Sequence, residues 1–223
     1  PRGGSPGSTG KGETVTRALV MAKAPVPGTV KTRLRLPPEK AAALQAALIR
    51  DTVERTRALG PITVAGTPAD RLDLIFPFLP DGAKLVAQAE GDLGQKMLAA
   101  AKELFDEAPD PVLILGTDAP TLPFGRLREA ARALERHDAS LVPSADGGYV
   151  LLGLRGPHEP LFSGIPWSTE AVCEQTLERA RRHGLSVHLC APWYDVDVPR
   201  DLEIGRASGR ERVSLVVFVS GGG

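Results

Sequence analysis

The 223-residue chain carries 27 basic and 27 acidic side chains, so its formal charge is zero, and no whole-molecule field draws it to nucleic acid or to an anionic membrane. Its apolar content of 42% is that of an ordinary globular protein, and no apolar run approaches the about 18 residues that a membrane-crossing helix needs. Two cysteines, Cys173 and Cys190, are too few and too unpatterned for a disulfide framework or a zinc cage and fit a reducing, cytoplasmic setting.

Residues 1–16 are rich in Gly, Ser, Pro and Thr without periodicity and read as a disordered leader. Gly10-Lys11 resembles a piece of a P-loop but fails, because Ser5 stands where the first glycine belongs, Gly12 follows the lysine and no strand precedes it. Residues 18–21 then form an apolar strand that runs into a Pro/Gly loop, Lys23-Ala24-Pro25-Val26-Pro27-Gly28-Thr29-Val30-Lys31-Thr32-Arg33-Leu34. Pro25 and Pro27 fix their own φ and push Ala24 and Val26 toward extended backbone, which holds the loop open without a ligand. Gly28 lets backbone approach a bulky anion. The N–H groups of Val26, Gly28, Thr29 and Val30 are expected to converge on phosphate oxygens, with Lys31 and Arg33 adding full charge and Arg33 a planar fork. A Pro-rich surface turn with solvated lysines is the competing reading.

Pro37-Pro38 open a helix to about residue 59, with Ala41, Leu44, Leu48, Thr52, Thr56 and Leu59 in one stripe and Gly60-Pro61 as its stop. Residues 62–65 read as a second strand, the alternation of a parallel sheet covered by helices. Residues 72–79 are ambiguous, being cut by Pro77 and Pro80, and residues 84–87 read as a short strand. Asp92 caps the next helix, whose buried face carries Leu93, Met97, Ala100 and Leu104. Gly91 and Gly94 suggest backbone close to a ligand or simply a tight turn.

Residues 111–116 are an unbroken aliphatic run, hence a central parallel strand buried on both faces. Its end delivers Gly116-Thr117-Asp118-Ala119-Pro120, and ligands of open α/β sheets sit at the carboxyl ends of strands. Asp118 is therefore a candidate to hold a divalent cation that bridges phosphates, or else an Asx turn before Pro120. A helix with Phe124, Leu127, Ala131 and Leu134 follows, then strands at 139–143 and 149–154 around Asp146-Gly147-Gly148. That triplet is either a plain hairpin turn or an acceptor site with Asp146 as a base. His158 reads as a surface loop residue and His188 as a packed one. Trp167 either walls an acceptor pocket or packs in the core, and Ser168 or Thr169 is expected to cap a helix bearing Val172, Thr176 and Ala180. After a late strand at 185–189, alternation places Asp195 and Asp197 on one side, ahead of a helix started by Pro199. Asp197 opposite Asp118 would make a metal clamp; a pair of solvated turn aspartates is the alternative. From about residue 205 the pattern breaks into an irregular tail outside the domain spanning 17–204.

Six stretches occur in the order seen in one bacterial family: the loop from Lys23 to Leu34, Gly91-Asp92-Leu93-Gly94, Gly116-Thr117-Asp118-Ala119-Pro120, Asp146-Gly147-Gly148-Tyr149, Pro166-Trp167-Ser168-Thr169 and Asp195-Val196-Asp197. Together they resemble the glycosyltransferase-like proteins of the nucleotide-diphospho-sugar transferase superfamily, some of them linked to arsenic- or selenium-sugar pathways. The first motif is more distantly similar to phospholactate guanylyltransferases and molybdenum-cofactor nucleotidyltransferases. The resemblance implies a Rossmann-like glycosyltransferase-A domain, α/β with a mostly parallel sheet and helices on both faces. It implies a nucleotide contacted by Ala22, Lys23, Pro27, Gly28, Lys31, Arg33, Gly94 and Thr117, and Mg²⁺ (or Mn²⁺) on Asp118 and Asp197. The implied catalytic set is Lys31, Arg33, Asp118 and Asp146, and the acceptor contacts are Gly147, Gly148, Trp167 and Thr169. Two positions depart from the family pattern: Lys96 replaces an arginine and Val198 a helix-capping threonine.

The partners expected are a nucleotide or nucleotide-sugar and a small-molecule acceptor, with neither nucleic acid nor membrane; no oligomeric state is specified. Three functions compete: glycosyl transfer with a carboxylate base, nucleotidyl transfer with pyrophosphate release, and nucleotide binding without turnover.

Overall fold

A computed structural model describes residues 15–197. Most of the expected leader, Val198, the helix starting at Pro199 and the irregular tail lie outside the described residues.

Among the described residues seven strands form one sheet in the order β3-β2-β1-β4-β6-β5-β7. They are β1 (Arg17–Lys23), β2 (Ile62–Thr67), β3 (Lys84–Ala87), β4 (Val112–Gly116), β5 (Ala139–Pro143), β6 (Tyr149–Leu154) and β7 (Val187–Leu189). All neighbouring pairs are parallel except those of β6, which runs antiparallel to both β4 and β5. Because β6 alone is reversed, the chain after β1, after β4, in the β5–β6 turn and after β7 emerges at one edge of the sheet. This is the edge where open α/β sheets bind ligands.

The aliphatic runs read as doubly buried strands serve two cores. Ala18, Val20 and Ala22 of β1, with Leu113 and Leu115 of β4, pack under α1 (Pro38–Thr56) and α3 (Phe124–Ala133). Leu19, Val112 and Ile114 face the other way, onto α2 (Leu93–Glu107) and α4 (Val172–Arg182). The strand period of two thus divides each run between the faces, giving the α/β layering expected. Val196 packs with Leu34, Leu44 and Leu48 in a third, smaller cluster.

Local chemistry accounts for most boundaries. Asp92 and Gln95 form a reciprocal capping box at the start of α2, with 2.8 Å from the Gln95 amide to the Asp92 carboxylate and 2.9 Å for the return bond. Three expectations need correction, and one ambiguous segment resolves. The first helix stops at Thr56, and the Leu59 amide closes a turn on the Thr56 carbonyl ahead of Gly60. The ambiguous segment is two short 3₁₀ turns, Ala69–Leu74 and Phe76–Phe78, as prolines leave too few amides for a strand ladder. Leu93 is 44% exposed rather than buried, because the first residue of α2 precedes the packed stripe. Neither Ser168 nor Thr169 caps α4: Ala171 occupies that position, and the Thr169 hydroxyl is used one turn earlier, donating to the Pro166 carbonyl and accepting from the Ala171 amide.

Asp138 ties β7 to the sheet. Its carboxylate accepts from the Ser186 hydroxyl (2.7 Å) and amide (2.9 Å) and pairs with Arg155. The Ser186 bonds hold its carboxyl below the ordinary value of 3.8, so its stabilising contribution is present in full above that value and is lost as pH falls below it through the lowered folded-state value. Asp138→Ala should lower the melting temperature at pH 7 by roughly 2–4 °C, about 1 kcal/mol. Thermal melts should show that gap closing as the pH is taken below 3.8; a gap unchanged at acid pH would contradict this role.

Candidate functional site

The loop after β1 is shaped by its own sequence. Pro27-Gly28 occupy the centre of a β-turn, with Gly28 at φ +79° and the Thr29 amide donating to the Val26 carbonyl (3.1 Å). Nothing lies within 4 Å of where a Gly28 side chain would begin, so the backbone conformation requires this glycine. The Val26 amide is also used inside the loop, on the Ala24 carbonyl. Two of the four amides expected to converge on phosphate are therefore already bonded. Lys23 reaches across the turn to the Thr29 carbonyl (2.7 Å).

Lys31 adopts φ +49°, a left-handed conformation uncommon for a side-chain-bearing residue. From there its side chain, only 6% exposed, places Nζ 2.8 Å from Asp118 Oδ1 and 3.3 Å from Asp197 Oδ1. Nζ also donates to the Val196 carbonyl (2.7 Å). The sequence placed Lys31 on phosphates and an ion between the carboxylates; in this structure the ammonium itself lies between them. Arg33 is at the rim, 78% exposed and 3.9 Å from Asp197.

The two carboxylates are brought together by backbone pairing. The Val196 amide donates to the Asp118 carbonyl (2.7 Å), joining the segment after β7 to the end of β4. Val196 is fully buried, so alternation turns Asp195 and Asp197 outward, and both line the cleft. Asp195 accepts from the Ser144 hydroxyl at 3.4 Å. Burial, then the charge of Asp146 and those of Asp197 and Asp118, raise the Asp195 carboxyl above its ordinary value.

These groups share one cleft of about 800 Å³ at the carboxyl edge of the sheet. Ala22, Lys23, Lys31, Arg33, Thr117, Asp118, Asp146, Gly148, Trp167, Thr169 and Asp197, all expected from sequence, line it together. Four glycine and proline residues expected at the site are not among those that line the cleft. Pro27 and Gly28 shape the loop but do not line the cleft. A side chain on Gly94 would start 2.5 Å from the Trp167 ring, so this glycine lets Trp167 pack against the start of α2. A side chain on Gly147 would start 2.1 Å from the Glu170 carbonyl oxygen, so this glycine lets the 170 segment approach the β5–β6 turn. The hairpin reading of Asp146-Gly147-Gly148 holds as well: Asp146 Oδ1 accepts from the Gly148 amide at 3.1 Å between the two antiparallel strands. Trp167 meets Tyr149 edge-on, and its buried indole N–H has no hydrogen-bond partner among the described residues.

Sequence reasoning missed Asp195 as the carboxylate whose ionisation is disfavoured, and it missed two glutamines. Gln45 on α1 donates to the Lys23 carbonyl (3.1 Å) and the Thr117 hydroxyl (3.2 Å), clamping the ends of β1 and β4. Gln88 donates to the Ala65 (2.9 Å) and Ala22 (3.3 Å) carbonyls, joining β2 to β1. A glutamine beside Leu44 in the apolar stripe of the first helix was the available signal, since a buried amide must find partners.

Sheet order, layering and cleft position are those of the nucleotide-diphospho-sugar transferase fold. A family model described as "Uncharacterized protein conserved in bacteria (DUF2064)" matches residues 49–169, more than half the chain, and the chain belongs to this family. A structure from Desulfovibrio desulfuricans G20, described as a "putative nucleotide-diphospho-sugar transferase", is 30% identical with a TM-score of 0.83, covering 93% of this chain and 94% of that one. A cytidylyltransferase from Leptospira borgpetersenii serovar Hardjo-bovis (strain JB197) is 16% identical (TM-score 0.59, 93% of each chain) and shares the fold. So does the 4-diphosphocytidyl-2C-methyl-D-erythritol synthase of Anaerococcus prevotii DSM 20548, at 13% identity (TM-score 0.57, 87% of this chain and 98% of that one). No curated protein matches the sequence. Among the described residues no helix is long and apolar enough to cross a membrane.

Proposed function

We propose that this protein is a metal-dependent transferase that binds a nucleotide-sugar in the cleft and passes the glycosyl group to a small-molecule acceptor. The observation that carries the reading is the pairing of Asp118 and Asp197 around a cation, with a second carboxylate pair, Asp146 and Asp195, in the same cleft. Asp118 and Asp197 already hold an ammonium, and hard oxygen donors of this kind fit Mg²⁺ or Mn²⁺. Such an ion would neutralise the nucleoside diphosphate that departs.

This chain's own residues supply the rest. Lys31, released from the carboxylates, and Arg33 at the rim bind the diphosphate. Gln45 and Gln88 hold the strand ends that form the floor. Trp167 and Gly148 flank the acceptor. Asp195, whose proton is held more firmly than an ordinary aspartate's, and Asp146 beside it are the groups able to take a proton from an acceptor hydroxyl. A base is needed to activate a hydroxyl and is not needed when a phosphorylated substrate attacks a nucleoside triphosphate, so the second pair favours glycosyl over nucleotidyl transfer. The name of the Desulfovibrio relative supports a sugar-nucleotide substrate; an arsenic- or selenium-sugar acceptor rests on the sequence resemblance alone.

The test is a thermal-shift screen of nucleoside triphosphates and nucleotide-sugars with and without Mg²⁺, followed by assay of the product. Stabilisation by a nucleotide-sugar with release of free nucleoside diphosphate is expected. Pyrophosphate release from a triphosphate would establish the nucleotidyl alternative, and metal-independent binding without turnover the regulatory one. Asp118→Asn should abolish the Mg²⁺ dependence of nucleotide binding, and an unchanged affinity in calorimetry would remove Asp118 from the site.

A further inference from the structure

A second cluster lies away from the cleft, on the α3 side of the sheet. Among the described residues, Glu129 of α3, His188 of β7 and Cys190 just after it form the one group of three metal-binding side chains whose donor atoms lie within 4.8 Å of one another. Glu129 Oε1 is 3.2 Å from His188 Nε2. Donors about 2.0–2.3 Å from a tetrahedral zinc are about 3.3–3.8 Å apart, so this spacing is close to that of a coordination edge. Arg126 holds the other carboxylate oxygen of Glu129 at 2.7 Å, orienting Oε1 toward the histidine as an outer partner does.

His137 adds an independent observation. Its ring centroid is 5.6 Å from that of His188, and its buried Nδ1 has no hydrogen-bond partner among the described residues. His137, His188 and Glu129 line a surface groove, so an ion entering there meets Cys190 behind them.

We propose that Glu129, His188 and Cys190 form a zinc site, with His137 packed beside His188 at its edge. A soft thiolate, an imidazole and a carboxylate together suit Zn²⁺ rather than Mg²⁺ or Ca²⁺. On binding, the ion replaces the Glu129–His188 hydrogen bond and the Cys190 thiol releases its proton to solvent. One carboxylate and one thiolate balance the charge of the dication, so Arg128, Arg132 and Arg136 around the groove oppose a neutral site rather than a bare ion. The site clips α3 to the edge strand β7, immediately before the segment that carries Asp195 and Asp197. Its role is structural and independent of the transfer reaction.

Titration of the full chain with Co²⁺ tests this, because a thiolate ligand produces a near-ultraviolet charge-transfer band that carboxylate sites lack. One equivalent is expected to produce the band, Cys173→Ser to retain it, and His188→Gln and Glu129→Gln to weaken Co²⁺ binding tenfold or more. Cys190→Ser should abolish the band; His188→Gln, which lies on a half-exposed edge position, keeps the test decisive if the core variant does not fold. Absence of the band, a Co²⁺ affinity unchanged by His188→Gln, or a band that disappears with Cys173→Ser, overturns the proposal. None of these outcomes depends on nucleotide binding, so they leave the transferase reading standing or falling by itself.

Discussion

Lys31→Met is expected to change two affinities in opposite directions. Nucleotide binding weakens, since a charge-assisted hydrogen bond contributes about 1.5–3 kcal/mol, which is roughly tenfold or more in affinity. The nucleotide-free protein, by contrast, binds Mn²⁺ at least about tenfold more tightly, because 1.4 kcal/mol of competition is a factor of ten and the competitor has been removed. The lysine ammonium bonds to Asp118, Asp197 and the Val196 carbonyl at once, so a divalent ion seeking those carboxylates must first displace it. In the variant the two carboxylates face each other without the ammonium between them, while Arg33 stays 3.9 Å from Asp197 at the rim. They are 48% and 38% exposed, so water relieves part of the repulsion and the stability loss stays below the about 3–5 kcal/mol of a fully buried pair. Mn²⁺ titration followed by electron paramagnetic resonance, with and without nucleotide, reads both effects. Equal Mn²⁺ affinity in the two proteins would show that Lys31 does not compete for the carboxylates.

Gly147→Ala is expected to be the most damaging single-atom change at the cleft. Gly147 has φ +88°, and a new methyl group would start 2.1 Å from the Glu170 carbonyl oxygen and 2.7 Å from its Cα. Both neighbours are backbone, and the Gly147 carbonyl accepts from the Cys173 amide at 2.9 Å, so neither chain moves without breaking the junction between the β5–β6 turn and the start of α4. Strain and displacement together should cost about 2–4 kcal/mol, lowering the melting temperature by roughly 5–15 °C. Trp167 and Thr169 precede the displaced segment, so acceptor-side function should fall with it. Gly28→Ala is the control, since it has a positive φ but open space around it; its cost should stay near 1 kcal/mol. Similar losses for both variants would mean that conformation, not the contact with Glu170, decides the effect at Gly147.

The periodicity of the chain was enough to place every strand and all four α-helices of the described residues, because two-residue and 3.6-residue repeats report burial directly. Residues 111–116, with no polar interruption, had to be a central strand whatever the rest did. The Pro-Gly turn after β1, the Asp92 cap and the hairpin at Asp146-Gly147-Gly148 were also legible, each governed by chemistry within a few residues. Local chemistry could not say what Gly94 and Gly147 make room for: Trp167 and Glu170 approach from distant parts of the chain. Nor could it pair Lys31 with Asp118 and Asp197, because that contact depends on the Val196 amide docking on the end of β4. The raised Asp195 carboxyl and the meeting of Glu129 with His188 and Cys190 arise in the same way. Elements follow from nearest neighbours in sequence, whereas the charge environment of a site is a sum over neighbours in space, and only the folded topology, with its single reversed strand, brings those neighbours to one edge.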